Sequence, residues 1–438
     1  MRAAVYGLLV SLALVSAQAA DGAAEDASLY SRQHQHRSDV RPMALAEIEA
    51  TALANNPEIK LATRRVSLAE MGVPAAGNLD DPEFTYRAWG TPLARPWDLN
   101  QSQHMFMFSR QLPARGMRAL EKQVAGSEVD VRRAQLESTK REVAARIRAA
   151  FFILLRNNDE LRLHDEQVAI AQQSIASARI KYTVGKAAQQ DVLKAQIITT
   201  KLIEHLVMLE QDGDLARAAL NTLMGRDPAT PLEVQGQYSP AATLPSLTQL
   251  ESMALANRPE LAAIAAQIKQ AETKVEVARK GLSPEFNVGG GYMLMPDGTP
   301  RRNAYMAEVS VTLPGANRNR HEAEIAQALA EAETLRAQFV AQRVAVFGEI
   351  QQALVRADAA AKLARLYAST LIPQTESAFR ASVVAYQNDR TDLLNLLESQ
   401  NMILDARTSS YRAQADFDNA MAELERAVGA PVQSEVKP

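Results

Sequence analysis

The sequence predicts a mainly α-helical chain that carries a minority of β-structure long enough to cross a membrane. Three observations predict it: a collinear internal repeat, apolar heptads sustained over many turns, and two pairs of alternating segments of strand length. The 438 residues are 47% hydrophobic but only 5% aromatic. Most of the apolar content is therefore Ala, Leu and Val, residues suited to packed helices.

The repeat is read from matched landmarks. Ala52-Leu-Ala-Asn-Asn-Pro57-Glu58-Ile59 returns 202 residues later as Ala254-Leu-Ala-Asn-Arg-Pro259-Glu260-Leu261, and Pro82-Glu83-Phe84 returns as Pro284-Glu285-Phe286. Tyr182, Leu193, Gln196 and Gly225 are answered by Tyr386, Leu397, Gln400 and Gly429 at an offset of 204. The expected organisation is a signal peptide at 1–19, an N-terminal tail at 20–42, a first structural repeat at 43–228, a linker at 229–246, a second repeat at 247–430 and a C-terminal tail at 431–438.

Taken in order, Arg2 precedes the apolar run Ala3 to Val15, and Ala17-Gln18-Ala19 follows as a small-residue cleavage site. The run is too short to span a bilayer, and no later segment offers ~18 uninterrupted apolar residues, so any crossing must use β-strands. Each repeat opens with helix (Leu45–Gly72 and Leu247–Lys280), where Asn-x-Pro-Glu supplies a polar cap and a proline near the start or at a break.

A hairpin is expected next, at about 82–113 and again at about 284–314. Phe84, Tyr86 and Ala88 share one face by the period of two, with Glu83, Thr85 and Arg87 on the other. Tyr305, Ala307, Val309, Val311 and Leu313 alternate with Met306, Glu308, Ser310 and Thr312. Gly90-Thr91-Pro92 and Asp297-Gly298 supply the turns.

Long helix fills the remainder. No proline separates Pro113 from Pro228, and Ile147, Leu154, Leu161, Val168, Ile175 and Tyr182 are spaced by seven, as are Phe339, Val346, Ala353, Ala360 and Tyr367. Sustained heptads predict coiled-coil packing. Pro373 should kink or restart the second copy. Gly185 and Asn388-Asp389 mark bends that return each helix on itself.

Several function classes fall away. The chain has no cysteine, which removes disulfides, thiolate metal sites, thiol nucleophiles and a lipidated N-terminal cysteine. A formal charge of −3 lacks the basic footprint of nucleic-acid binding. No Ser-His-Asp order, glycine-rich phosphate loop or cleft-like carboxylate pair points to catalysis, so neither an enzyme nor a cofactor is expected. Four strands cannot close a barrel, since the smallest natural ones need about eight. Other copies of the chain must complete the sheet: a dimer would bring eight strands, largely filled by side chains, and a trimer twelve, enough for a water-filled lumen.

The twofold repeat, the Ala-Leu-x-Asn-x-Pro-Glu openings and the Tyr182…Gly185…Asp191-Val-Leu-x-Ala-Gln196 tip resemble the TolC family of outer-membrane efflux proteins over nearly the whole mature chain. Met293-Leu-Met295-Pro296-Asp297-Gly298, with Asn303 to Pro314, is similar to that family's heavy-metal branch. The resemblance implies a homotrimer whose twelve strands form an outer-membrane β-barrel, continuous with a periplasmic α-barrel of coiled-coil helices. It also implies a periplasmic adaptor protein and an inner-membrane efflux pump as partners, contact with outer-membrane lipid, and passive export of substrates such as heavy-metal cations. The alternative reading is a soluble periplasmic coiled-coil scaffold or adaptor subunit.

Site residues are carried over by position. Asp191, Gln190, Tyr386 and Arg390 stand where the family holds a periplasmic gate. Arg390 lies one residue before the family's arginine position, which Thr391 occupies here. Glu398, with Asn395 one turn earlier, stands where an acidic ring can narrow the pore. Val184, Gly185, Lys186, Asn388 and Asp389 form the hairpin tips that would meet the adaptor. His34 and His36 are a weak metal pair in the N-terminal tail. Met105 with Met107, and Met293 with Met295, each fall on one strand face. His104, His164, His205 and His321 read as isolated.

Overall fold

A computed structural model describes residues 40–90, 93–94, 100–185, 188–240, 244–296, 298–300, 303–388 and 390–432. In chain order the elements are β1 (Met43–Ala44), α1 (Leu45–Asn55), α2 (Pro57–Ala76), β2 (Glu83–Trp89), β3 (Gln103–Leu112), α3 (Met117–Thr183), α4 (Gln189–Leu223), β4 (Val234–Gln235), α5 (Leu247–Asn257), α6 (Pro259–Lys280), β5 (Glu285–Leu294), β6 (Asn303–Thr312), α7 (Arg318–Leu366), α8 (Ile372–Gln387) and α9 (Leu393–Val428). A 3-10 turn at Pro314–Asn317 precedes α7, and a π turn at Tyr367–Leu371 joins α7 to α8.

The repeated Asn-x-Pro-Glu motif lies at a break between helices in both copies, since a proline fits the first helical position, where its missing N–H costs nothing. α2 runs past the expected stop at Gly72 to Ala76, with Pro74 inside its last turn. Pro373 does not end its helix either. The π turn ahead of it widens the backbone, and α8 restarts with the proline in its first turn.

The chain forms two compact units. One comprises Glu58–Thr139 and Asn257–Val346, and holds the main sheet. Its four strands are antiparallel in the order β2-β3-β5-β6, so hydrogen bonding joins the two hairpins through β3 and β5. β2 and β6 are left as edges. Alternation sorts the sheet into two faces. One carries Phe84, Tyr86, Phe106, Phe108, Val288, Tyr292, Tyr305 and Val309, with ring pairs Phe84–Phe108 at 5.0 Å, Tyr86–Phe106 at 5.2 Å and Tyr292–Tyr305 at 5.7 Å. The other carries the cross-strand row Glu83, Ser109, Gly289 and Glu308, with Asn287 and Ser310 beyond it. The unit's helices are tied by exposed ion pairs, Arg133–Glu70 at 2.6 Å, Lys274–Glu331 at 2.9 Å and Arg336–Glu272 at 2.6 Å.

The second unit comprises the described residues up to Pro57, those of Lys140–Ala256, and those from Phe347 onward. Heptad positions form its core: Ile147, Leu154, Leu161 and Val168 on α3, Leu202, Leu209 and Ala216 on α4, and Ala353 and Ala360 on α7 are buried, while Val346, also buried, belongs to the other unit. Tyr182 ends the heptad row exposed, where α3 approaches its bend. Two ties span the unit. Asn56 Nδ2 donates to the Leu223 carbonyl at 2.8 Å, satisfying a C-terminal acceptor of α4. Arg148 bridges Glu49 at 2.6 Å and Glu425, so α3 holds both the first helix and the last. Among the described residues, no helix is long and apolar enough to cross a membrane.

Candidate functional site at the hairpin tips

The first tip is made by Val184 and Gly185 between α3 and α4. Gly185 has φ +74°, a left-handed conformation that glycine adopts without steric cost, and its N–H donates to the Tyr182 carbonyl at 3.0 Å. On the far side α4 begins after Ala188. The Asp191 carboxylate accepts from the Ala188 N–H at 3.2 Å, which is half of a capping box; Ala188 has no side-chain oxygen to complete it. Gln190 is exposed beside it. Lys186 lies outside the described residues.

The second tip has the same plan with different chemistry. Asn388 Nδ2 donates to the Val384 carbonyl at 2.7 Å and the Arg390 N–H donates to the Ala385 carbonyl at 2.9 Å. Asp392 caps α9 by accepting from the Asn395 N–H at 2.9 Å. Asp389 lies outside the described residues, as do His34 and His36.

The two tips meet at Tyr386. Lys181 Nζ sits 3.9 Å above the ring centroid and 3.5 Å from the Tyr386 carbonyl oxygen. Beneath them Ala178, Ala195, Leu393 and Leu397 form a small buried cluster against which Ile175, Val192 and Tyr386 pack. Lys181 is not among the tip residues that the family resemblance implies, yet it stands immediately before Tyr182, the landmark equivalent to Tyr386. The side-chain bond of Asp191 and the backbone bond of Arg390 run within their own turns, and among the described residues no hydrogen bond joins either to Tyr386.

Glu398 and Asn395 are both exposed on α9, three residues apart on one helical face, while Leu397, Ser399 and Gln400 are buried behind them. Gln400 Nε2 donates to Gln167 Oε1 at 2.9 Å inside the core, fixing α9 against α3.

Farther along the same helices lies a set of buried polar groups. Glu160 is 1% exposed and takes Arg412 at 3.1 Å and Arg156 at 3.6 Å. His164 stacks edge-on against His205 with ring centroids 5.1 Å apart. Burial, then the neighbouring His205 and Arg412, lower the His164 pKa to about 4. Neither histidine is isolated, contrary to the reading from sequence. Nor are the other two: His104 Nδ1 lies 2.7 Å from the Tyr86 hydroxyl, and His321 Nδ1 is 3.2 Å from Glu324. Sequence separation hid these contacts. The linker is also held, one aspartate from each repeat: Tyr238 donates to Asp159 at 2.8 Å and the Ser239 N–H to Asp418 at 3.1 Å. Burial raises the Asp418 pKa to about 6, against the lowering effect of that hydrogen bond. Among the described residues, no cluster of three or more His, Asp or Glu side chains is arranged to hold a metal ion.

The chain resembles known proteins across both repeats. The cobalt-zinc-cadmium resistance protein CzcC of Cupriavidus metallidurans is 22% identical over 397 residues, which cover 90% of this chain and 91% of the relative. The pyoverdine export outer membrane protein OpmQ of Pseudomonas putida is 24% identical over 319 residues, 70% of this chain and 66% of the relative. The crystal structure of CusC, described with its transmembrane channel formation, superposes with a TM-score of 0.75 at 14% identity, covering 90% of this chain and 96% of that one. The outer membrane efflux protein family model matches residues 50–226 and 250–430, one match on each repeat, and the chain belongs to that family.

Proposed function

We propose that this outer-membrane efflux protein is the passive exit channel of a tripartite pump, working as a homotrimer with a periplasmic adaptor and an inner-membrane pump that supplies the energy. One observation carries the reading: a four-stranded sheet with an aromatic face, a polar face and two unpaired edges. Unpaired strand edges are not viable in lipid, so neighbouring copies would pair β2 with β6 and close twelve strands around the polar face. The aromatic face would then meet outer-membrane lipid. The chain would be exported by the segment 1–19 and held without an acyl anchor, as it has no cysteine. It performs no chemistry of its own.

Within this reading, Asp191, Gln190, Tyr386 and Arg390 hold the periplasmic entrance. Lys181 seats Tyr386, so that the two hairpins of one protomer move together. Glu398 and Asn395 project a ring of three carboxylates and amides into the pore, which favours cations. Val184, Gly185, Lys186, Asn388 and Asp389 dock the adaptor. The CzcC likeness supports divalent heavy-metal cations as cargo.

Planar-bilayer recording tests the assignment. The purified protein should insert as a detergent-stable trimer and conduct, and Asp191→Ala with Tyr386→Phe should raise single-channel conductance several-fold. Recovery as a soluble periplasmic protein would instead support a coiled-coil scaffold. Conduction unchanged by the double variant would remove the gate but leave the channel.

A further inference from the structure

We propose that the polar face of the hairpin sheet carries a binding site for a soft monovalent cation, Cu(I) or Ag(I), built from the thioethers of Met105, Met107, Met293 and Met306. The proposal rests on the reading that this face lines the duct.

Strand register brings the four together. Met105 on β3 lies directly opposite Met293 on β5. In the next row of the same face, Met107 lies opposite Gly291, which in turn lies opposite Met306 on β6. Directly opposed Cβ atoms in antiparallel pairs are about 4.5–5.5 Å apart, with diagonal neighbours still within reach of long side chains. Four methionines with long, flexible side chains therefore flank a position that has no side chain. Gly291 is required there: a Cβ would meet the Phe106 carbonyl oxygen at 2.5 Å.

Burial gives the site a floor and a rim. Met105 is 2% and Met107 5% exposed, while Met293 and Met306 are half-buried. The Met293 sulfur accepts from Gln103 Nε2 at 2.7 Å, so at least one thioether already presents its lone pair as an acceptor. Met295 does not join them. The strand ends at Leu294, and Met295 turns to the aromatic face, where it lines a hollow with Phe84, Tyr86, His104 and Phe106. This corrects the expectation that Met293 and Met295 share a face.

The donor set selects the cation. The two methionine rows hold Arg87, Met105, Met293 and Ala304, then Thr85, Met107, Gly291 and Met306. Neither contains His, Asp or Glu, and soft sulfur donors without hard partners suit Cu(I) and Ag(I) rather than oxygen-seeking cations. The adjoining row supplies Glu83 and Glu308, whose two negative charges offset Arg87 and the single positive charge of the cation. Filling space alone does not explain the pattern, because the opposite face meets that need with Val288, Leu294, Val309 and Val311.

Silver titration of the detergent-purified trimer in nitrate buffer, followed calorimetrically, tests the site. Saturable binding is expected, with absorption-edge spectroscopy showing sulfur alone in the first shell. M107L with M306L preserves volume and apolarity, and should weaken binding by at least about tenfold, equivalent to ~1.4 kcal/mol, with trimer and thermal midpoint retained. The single variant M306L, at the half-buried rim, should weaken it in the same direction. A variant with His34→Ala and His36→Ala should bind as the parent does. Parent-like binding in the leucine variants, or nitrogen in the first shell, overturns the proposal. Bilayer conductance of the same preparation separates the two readings. A conducting protein that binds no silver removes the methionine site alone, and a silver-binding protein that conducts nothing keeps the site and removes the duct.

Discussion

In the first repeat the helix leading to the tip, α3, runs 67 residues without interruption, whereas in the second repeat the path is α7, the π turn Tyr367–Leu371 and α8. The tips diverge as well: α4 is capped by an Asp191 that reaches back to Ala188, and α9 by Asp392 at the N-cap itself. At the opening motif, Asn56 brackets the end of α4, while its counterpart Arg258 is buried with Glu260 at 2.8 Å. Two copies of one plan thus keep the backbone path and exchange the fastenings. A chain that repeats within itself can hold one copy straight while the other accommodates a local irregularity, so the two need not respond alike to the same change.

The largest difference is expected at the linker. Asp159 of the first repeat is paired with Arg162 as well as Tyr238, but Asp418 of the second is buried against Ser239, with no cation paired to it among the described residues. Its folded pKa of about 6 lies above the ordinary 3.8, so the protonated form is favoured by folding. That stability is fully present below about pH 3.8 and is lost as the pH rises through about 6. Asp418→Asn keeps an acceptor for Ser239 and removes the buried charge. It should stabilise the protein at pH 7.5 by up to about 3 kcal/mol and flatten the profile between pH 4 and 6. Asp159→Asn should bring no such gain. Unfolding midpoints followed across that range give both answers, and equal responses would erase the contrast.

Next comes Asn56→Ala, which leaves the Leu223 carbonyl without its side-chain donor and should cost about 1–3 kcal/mol, read as a lower denaturation midpoint. Smallest is the pair of caps. Asp392→Ala should cost about 1 kcal/mol. Asp191→Ala should cost less in stability, since it removes a single bond to one exposed backbone N–H, and its main effect should appear in conductance. A larger stability loss at Asp191 than at Asp392 would mean that its carboxylate serves the fold before any gate.

Much of this architecture was legible in the residues. Proline positions, heptads and strand alternation are short-range signals, and the helix breaks at Asn56 and Arg258, the bends at Gly185 and Asn388 and the two sheet faces follow from them directly. The candidate site was less legible. Asp191 and Tyr386 could be placed at the tips by position, yet Lys181 over the Tyr386 ring joins residues 205 apart. The His164–His205 contact and the split of Met293 from Met295 were likewise invisible, because each depends on how one helix or strand is set against another.

The sequence by itself determined that the chain is written twice, that its helices are long, and that four strands with one apolar face cannot stand alone, since these depend only on periodicity and on the needs of backbone hydrogen bonds. Tertiary structure decided which groups are brought together: the tie of Arg148 to Glu49 and Glu425, the buried Asp418, and four methionines placed around Gly291 by strand register. The physical reason is register. Sliding one strand by a single residue would leave its alternation intact and turn its methionines to the opposite face.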